Sequence, residues 1–390
     1  MRSAMATLSR GAAAALLAGA AACSGDDLGV GAPDAAADGW QWNLPRGFPE
    51  PVVPEDNPMT EEKVELGRHL FYDERLSGNE TQSCATCHIQ EHAFGGGVPT
   101  NEGSTGDPVP RHSQPLVNAV YNYPLTWAST ELTSLEEQIH GPMFGTDPVE
   151  LGITGNEDEV LERLRIDDRY PDLFAAAFPE DEDPIDFDNA IKALASFVRS
   201  IVSSGNSPFH RYVYYGEENA LSESEQRGLS LLFTERLECH HCHSGFMMTN
   251  AVRHQNSTFI EFLVFHNVGL YNIDGEGGYP EPNTGLYAET GDPADMGRFR
   301  APTLLNVEVS GPYMHDGSLE TLDEVIDHYA AAGQVIEDGE LAGDGRANPN
   351  KSRFIPGFEL SDQEREDVIN FLKSMTDHAV LTDPRYADPW

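Results

Sequence analysis

From residue 60 onward, apolar positions recur at helical rather than strand spacing. Thr60 stands where an N-cap belongs, and Val64, Gly67, Leu70 and Phe71 then fall on one helix face. Ser222-Glu223-Ser224-Glu225 is a capping box, in which hydroxyl and carboxylate satisfy each other's backbone amides, and Gly228, Leu231, Leu232 and Phe233 continue from it. Between these segments, Phe187, Ile191, Leu194, Val198, Ile201 and Val202 mark a long amphipathic helix that ends near Gly205. A further capping box, Ser361 to Glu364, heads a closing helix with Val368, Phe371, Leu372 and Met375. Alternating strand patterns are scarce. The pattern predicts an all-α chain whose helices are joined by long Gly- and Pro-rich loops.

The N-terminal residues follow a different rule. Arg2 and Arg10 precede an apolar run, Gly11 to Ala22, which reads as an export signal and is too short to span a bilayer. It ends Ala20-Ala21-Ala22-Cys23, which resembles a lipobox, and Ser24 resembles the outer-membrane sorting pattern. The expected location is therefore the periplasm, either anchored to the outer membrane by a lipid on Cys23 or released by ordinary signal cleavage. Residues 24–58, rich in Gly, Ala, Asp and Pro, read as a tether and extended arm carrying Trp40 and Trp42. The expected layout is signal 1–23, arm 24–58, first domain 59–205, second domain 206–378 and tail 379–390.

Charge narrows the partners. With 65 acidic and 24 basic residues the formal charge is −41, which excludes nucleic acid and favours a basic protein partner or a well-solvated surface. Five cysteines are present, and four of them carry the chemistry. Cys84-Ala85-Thr86-Cys87-His88 and Cys239-His240-His241-Cys242-His243 each follow a capped helix within a short loop, a weak internal repeat. Cys-x-x-Cys-His attaches c-type haem: one helical turn places both sulfurs on the porphyrin edge, and the histidine reaches the iron. The competing reading is a four-thiolate zinc cage, but such a site has no use for a histidine after each pair. Two covalent haems are therefore expected.

The order of Leu66-Gly67-Arg68-His69-Leu70-Phe71, the two haem motifs, Leu135-Glu136-Glu137-Gln138, Pro148-Val149-Glu150 and Pro312-Tyr313-Met314-His315-Asp316-Gly317-Ser318 resembles the bacterial di-haem cytochrome c peroxidase and MauG superfamily. The likeness covers about residues 59 to 375. Trp40-Gln41-Trp42, "GFPEP", "DNPMT", "HNVGLYNIDGEGGYP" and "DMGRFRAPTLLNV" are most similar to its MbnH branch. The resemblance implies two cytochrome-c-like haem domains, with the haem on His88 reacting with hydrogen peroxide. Gln138 and Glu150 match distal-pocket positions, and a positioned glutamate suits the proton transfer that peroxide cleavage needs. Trp127 matches the tryptophan between the haems, although Ala128-Ser129 replace the usual continuation.

For the second haem, on His243, the chemically possible sixth ligands are Met314, His315, His328, Tyr329, Met247 and Met248. Counting seventeen residues on from Pro312, where related peroxidases carry methionine, reaches Tyr329. Tyrosine there resembles MauG-like proteins, and a phenolate would lower the haem potential and stabilise highly oxidised iron. Nothing in the sequence ties His92, His254 or His266 to iron. A calcium ion is also implied, held by the Ser310 and Pro312 carbonyls, with His112 where an asparagine is usual.

The expected function is that of a di-haem enzyme whose peroxide-generated high-valent state oxidises a partner protein, tryptophan to kynurenine in an MbnP-like substrate. The alternatives are a peroxidase fed by a small cytochrome donor and a non-enzymatic electron carrier.

Overall fold

The computed structural model describes residues 40–257 and 264–390; the expected signal segment, Cys23 and the tether up to residue 39 lie outside them. Among the described residues the helices are α1 (Glu61–Tyr72), α2 (Cys84–Cys87), α3 (Leu135–Phe144), α4 (Glu157–Arg165), α5 (Tyr170–Ala177), α6 (Phe187–Ser200), α7 (Pro208–Tyr215), α8 (Glu223–Leu232), α9 (Tyr287–Thr290), α10 (Leu322–Ala330) and α11 (Asp362–Lys373). Two antiparallel ribbons, β1 (Phe265–His266) with β2 (Phe299–Arg300) and β3 (Val335–Ile336) with β4 (Gly343–Asp344), are the paired strands. The fold is thus mainly helical with few strands.

Local sequence sets the helix starts. The Thr60 side chain accepts from the Lys63 amide, and both predicted capping boxes form, Ser222 with Glu225 and Ser361 with Glu364. One end differs from its pattern. The apolar spacing carries α6 to Val202, yet the helix stops at Ser200. Distant groups take over there: the Asn118 amide donates to the Ile201 carbonyl at 2.8 Å, and the Ser203 and Ser204 amides donate to Asn118 Oδ1 and Asp377 Oδ2.

Two cores organise the chain. One joins Leu66, Leu70 and Phe71 of α1 to Phe94, Leu194 and Phe197. Val380, Leu381 and Tyr386 of the tail pack into it, and Tyr386 Oη donates to the Ser200 carbonyl at 2.9 Å. The other gathers Leu229, Leu232, Met247, Val368 and Phe371, together with Phe48 of the arm. The two repeat one device. A Cβ on Gly67 would lie 2.0 Å from the Ala193 carbonyl oxygen, and one on Gly228 would lie 1.9 Å from that of Asp367. So α1 crosses α6, and α8 crosses α11, at a distance only glycine permits.

The helix α3 is fixed against α6 by a half-buried ion pair, Arg199 Nη2 to Glu136 Oε1 at 2.7 Å. Asn57, within the "DNPMT" block, donates to the same carboxylate oxygen at 2.7 Å and to the Lys192 carbonyl. That block therefore holds the wall on which Gln138 stands.

Candidate haem sites and the bridge between them

Each Cys-x-x-Cys-His motif is a single tight turn ending in a half-buried imidazole. At the first, α2 is capped by Ser83 and Thr86, and His88 follows. His88 Nδ1 lies 2.7 Å from the Phe94 carbonyl oxygen. At the second, the turn spans Cys239–His241 and His243 Nδ1 lies 3.3 Å from the Met248 carbonyl oxygen. Both carbonyls belong to residues with left-handed backbones, Phe94 at φ +61° and Met248 at φ +49°. This conformation is uncommon for side chains of that size and is held by the surrounding core. Pinning Nδ1 leaves Nε2 as the metal-facing nitrogen and fixes the ring plane. Burial lowers the proton affinity of His88 and pushes His243 down to about 4, so both rings are neutral, as metal ligands must be.

The surroundings fit haem. Burial, with the Cys87 thiol adding at Cys84 and the Glu150 carboxylate adding at both, pushes the Cys84 and Cys87 thiols up to about 12 and about 11. Glu150 therefore stands beside the first attachment site. Its own carboxyl is raised by burial. The loop 101–108 holds it in place, through the Ser104 amide donating to the Glu150 carbonyl at 2.7 Å. Gln138 sits on α3 with its Oε1 buried and unpartnered.

Arg300 is a residue the sequence reading missed. It is 2% exposed and is held by neutral acceptors: the Thr126 carbonyl at 3.1 Å, and Gln114 Oε1. Its Nη1 is buried without a partner, and burial pushes its pKa down to about 10. A buried cation facing only neutral groups calls for an anion, and a haem propionate supplies one. "GRFRAP" holds two arginines, Arg298 and Arg300, and carries no sequence signal for which of them is buried.

A third cluster gathers Trp127, Ala128, Leu270, Tyr271, Tyr279 and Phe299, with Met314 against it. Trp127 is 8% exposed; its Nε1 donates to the His112 carbonyl at 2.8 Å, and its own carbonyl accepts from the Arg300 amide at 2.7 Å.

Among the six ligand candidates, Tyr329 on α10 is near enough to the Cys239 and Cys242 sulfurs for them to act on its phenol. Burial raises its phenol well above the usual range, with the Cys242 and Cys239 sulfurs adding and Tyr279 behind them. Its neighbour His328 turns away, with Nε2 2.9 Å from the Val268 carbonyl oxygen. Met247 and Met248 are buried in the second core, and His315 stacks on Phe299 with ring centroids 3.7 Å apart. His266 was set aside on sequence grounds, yet it lies on β1 close enough to His243 to lower that ring's proton affinity. Only the ribbon pairing brings it there.

The calcium expectation does not fit the residues present. His112, 4% exposed, places Nδ1 2.9 Å from the Val98 carbonyl oxygen and Nε2 3.3 Å from that of Ser310. The imidazole thus engages an oxygen the ion would need, and ring nitrogens suit calcium poorly. The zinc cage is not formed either. Among the described residues, the one group of three or more His, Cys, Asp or Glu donors within 4.8 Å of one another is Glu235, His240 and His241.

Two attachment turns, each with a pinned neutral histidine, define a di-haem c-type protein. The family model for di-haem cytochrome c peroxidase matches residues 61–219. Cytochrome-c peroxidase IdrP1 of Denitromonas iodatirespirans is 34% identical over 87% of this chain and 88% of its own length. Methylamine utilization protein MauG of Methylorubrum extorquens is 33% identical over 91% of this chain and 92% of its own. A solved MauG-like protein associated with microbial copper homeostasis superposes with a TM-score of 0.87 at 48% identity, over 90% of this chain and 99% of that one. The chain belongs to the di-haem cytochrome c peroxidase and MauG family. It is a haem-dependent oxidoreductase that uses hydrogen peroxide and carries two c-type haems.

Proposed function

We propose that this enzyme is MauG-like: it uses peroxide to oxidise a side chain of a partner protein, tryptophan to kynurenine in an MbnP-like substrate. The observation that carries the reading is Tyr329, held beside the Cys239 and Cys242 sulfurs where related peroxidases have methionine. When bound, the haems supply peroxide cleavage and storage of its two oxidising equivalents.

The rest falls to the chain. Cys84, Cys87, Cys239 and Cys242 would attach the haems, His88 and His243 would hold the irons, and Arg300 would hold a propionate. Glu150, with its raised carboxyl, takes a proton from the inner oxygen of peroxide and returns it to the outer one. Gln138, whose Oε1 is buried and unpartnered, would line the same pocket. Trp127, fixed at both its indole and its backbone, carries oxidising equivalents between the two sites. Tyr329 would ionise only against a compensating cation, because burial disfavours a free phenolate, and the iron of the second haem would supply that charge.

Export to the periplasm, where haem attachment takes place, and lipidation of Cys23 belong to the same proposal. Among the described residues no helix is long and apolar enough to cross a membrane.

The test is low-temperature EPR and near-infrared absorption on the ferric protein, before and after stoichiometric peroxide. Product mass spectrometry after mixing with an MbnP-like protein completes it. One high-spin and one low-spin haem, a long-lived near-infrared band and a modified partner tryptophan are expected. Two low-spin haems indifferent to peroxide would overturn the reading. The peroxidase names among the relatives and the charge of −41 favour one rival, turnover with a small basic cytochrome donor. Rapid oxidation of that donor without partner modification would establish it.

A further inference from the structure

We propose that Glu235, His240 and His241 form a binding site for one divalent transition-metal ion of the copper or zinc class, on the loop that attaches the second haem. The haem uses Cys239, Cys242 and His243 of that loop, so the two residues between the cysteines are free for another purpose. Here both are histidines.

The geometry gathers them. The His240 and His241 rings lie 4.2 Å apart. His240 Nε2 is 3.5 Å from Glu235 Oε1, and His241 Nε2 is 3.8 Å from Glu235 Oε2. Donors arranged tetrahedrally about a zinc-sized ion stand roughly 3.4 Å apart, so small side-chain movements close the site. Glu238 adds a second carboxylate, 2.6 Å from His241 Nε2, from a backbone held at φ +60°.

The rings are oriented from outside. Phe354 stacks on His241 at 4.1 Å, and Phe233 stacks on His240 at 6.3 Å. His240 Nδ1 is buried without a partner, so no hydrogen bond on that side fixes which nitrogen carries the proton. Imidazole nitrogen with carboxylate oxygen is a donor set for zinc, copper or nickel rather than for calcium or magnesium. The carboxylates bring negative charge to the two rings, and an ion would join the donors of Glu235, His240 and His241. The plainer reading is a surface ion-pair cluster, and it makes a different prediction.

The experiment uses the di-haem holoprotein, stripped with a chelator. Zn²⁺ is titrated by calorimetry, and Cu²⁺ binding is followed by EPR. One ion per chain is expected, with copper showing two-nitrogen hyperfine structure. Glu235→Gln, outside the haem motif, and His241→Gln should each weaken binding about tenfold or more. The Soret spectrum and peroxide reactivity should stay unchanged in Glu235→Gln. Absence of stoichiometric binding, or binding that both variants retain at wild-type affinity, overturns the proposal.

Discussion

Burial raises the proton affinity of both Tyr329 and Glu150. For Tyr329 the raised phenol means that its ionised form depends on the iron it would face. Tyr329→Met should therefore raise the reduction potential of the His243 haem and abolish the peroxide-induced near-infrared band, read by spectroelectrochemistry. An unchanged potential would remove Tyr329 from the coordination sphere. Glu150 makes a prediction about pH. Its folded carboxyl is raised by burial, so the folded state holds its proton more tightly than the unfolded chain. The stabilisation is full below the unfolded value and is lost as pH rises through the folded one. Peroxide reactivity runs the other way, rising as the carboxylate forms and becomes a proton acceptor. Glu150→Gln should lower the peroxide rate about 10²-fold and flatten this rise, measured by stopped flow across pH. The attachment residues were plain in the sequence because five adjacent positions do one job. Arg300 and the Phe94 and Met248 carbonyls were not, because their roles depend on burial and left-handed backbone that no short motif encodes.

Helices show the same division between local and distant causes. Capping boxes put both partners within four residues, so the starts of α8 and α11 are legible from the chain. The end of α6 is not, because Asn118 and Asp377 set it from far away in sequence. The second half repeats the logic: the Asn306 amide donates to the Met375 carbonyl, and Asn306 Oδ1 accepts from the Asp377 amide at 2.8 Å. Gly67 and Gly228 stood out as members of a helical face, but their close approach to a second helix appears only in the fold. Each of Gly67→Ala and Gly228→Ala should destabilise the holoprotein by about 1–3 kcal/mol or more, seen as a lower thermal midpoint, because the methyl meets backbone oxygen. An unaltered midpoint in both would mean that the crossings yield freely.

At the scale of the molecule, the question is how two haem sites in separate cores act as one. The connection runs through a few buried contacts. Trp127 donates to the His112 carbonyl, the His112 amide donates to the His315 carbonyl at 2.8 Å, and the Trp127 carbonyl accepts from the Arg300 amide. Arg300 pairs across the ribbon with Phe265, and His266 follows beside His243. His112 thus ties the tryptophan to the loop after Ser310, the place where calcium was expected. If Trp127 carries oxidising equivalents, Trp127→Phe should leave both haems attached and the ferric spectra intact, because the cluster keeps an aromatic ring. Peroxide should still react at the His88 site. The near-infrared band should vanish and partner oxidation should fall about tenfold or more, a barrier increase of about 1.4 kcal/mol. Survival of both would exclude Trp127 as the route and turn attention to Tyr279, which shares its cluster and lies close enough to Tyr329 to perturb its phenol.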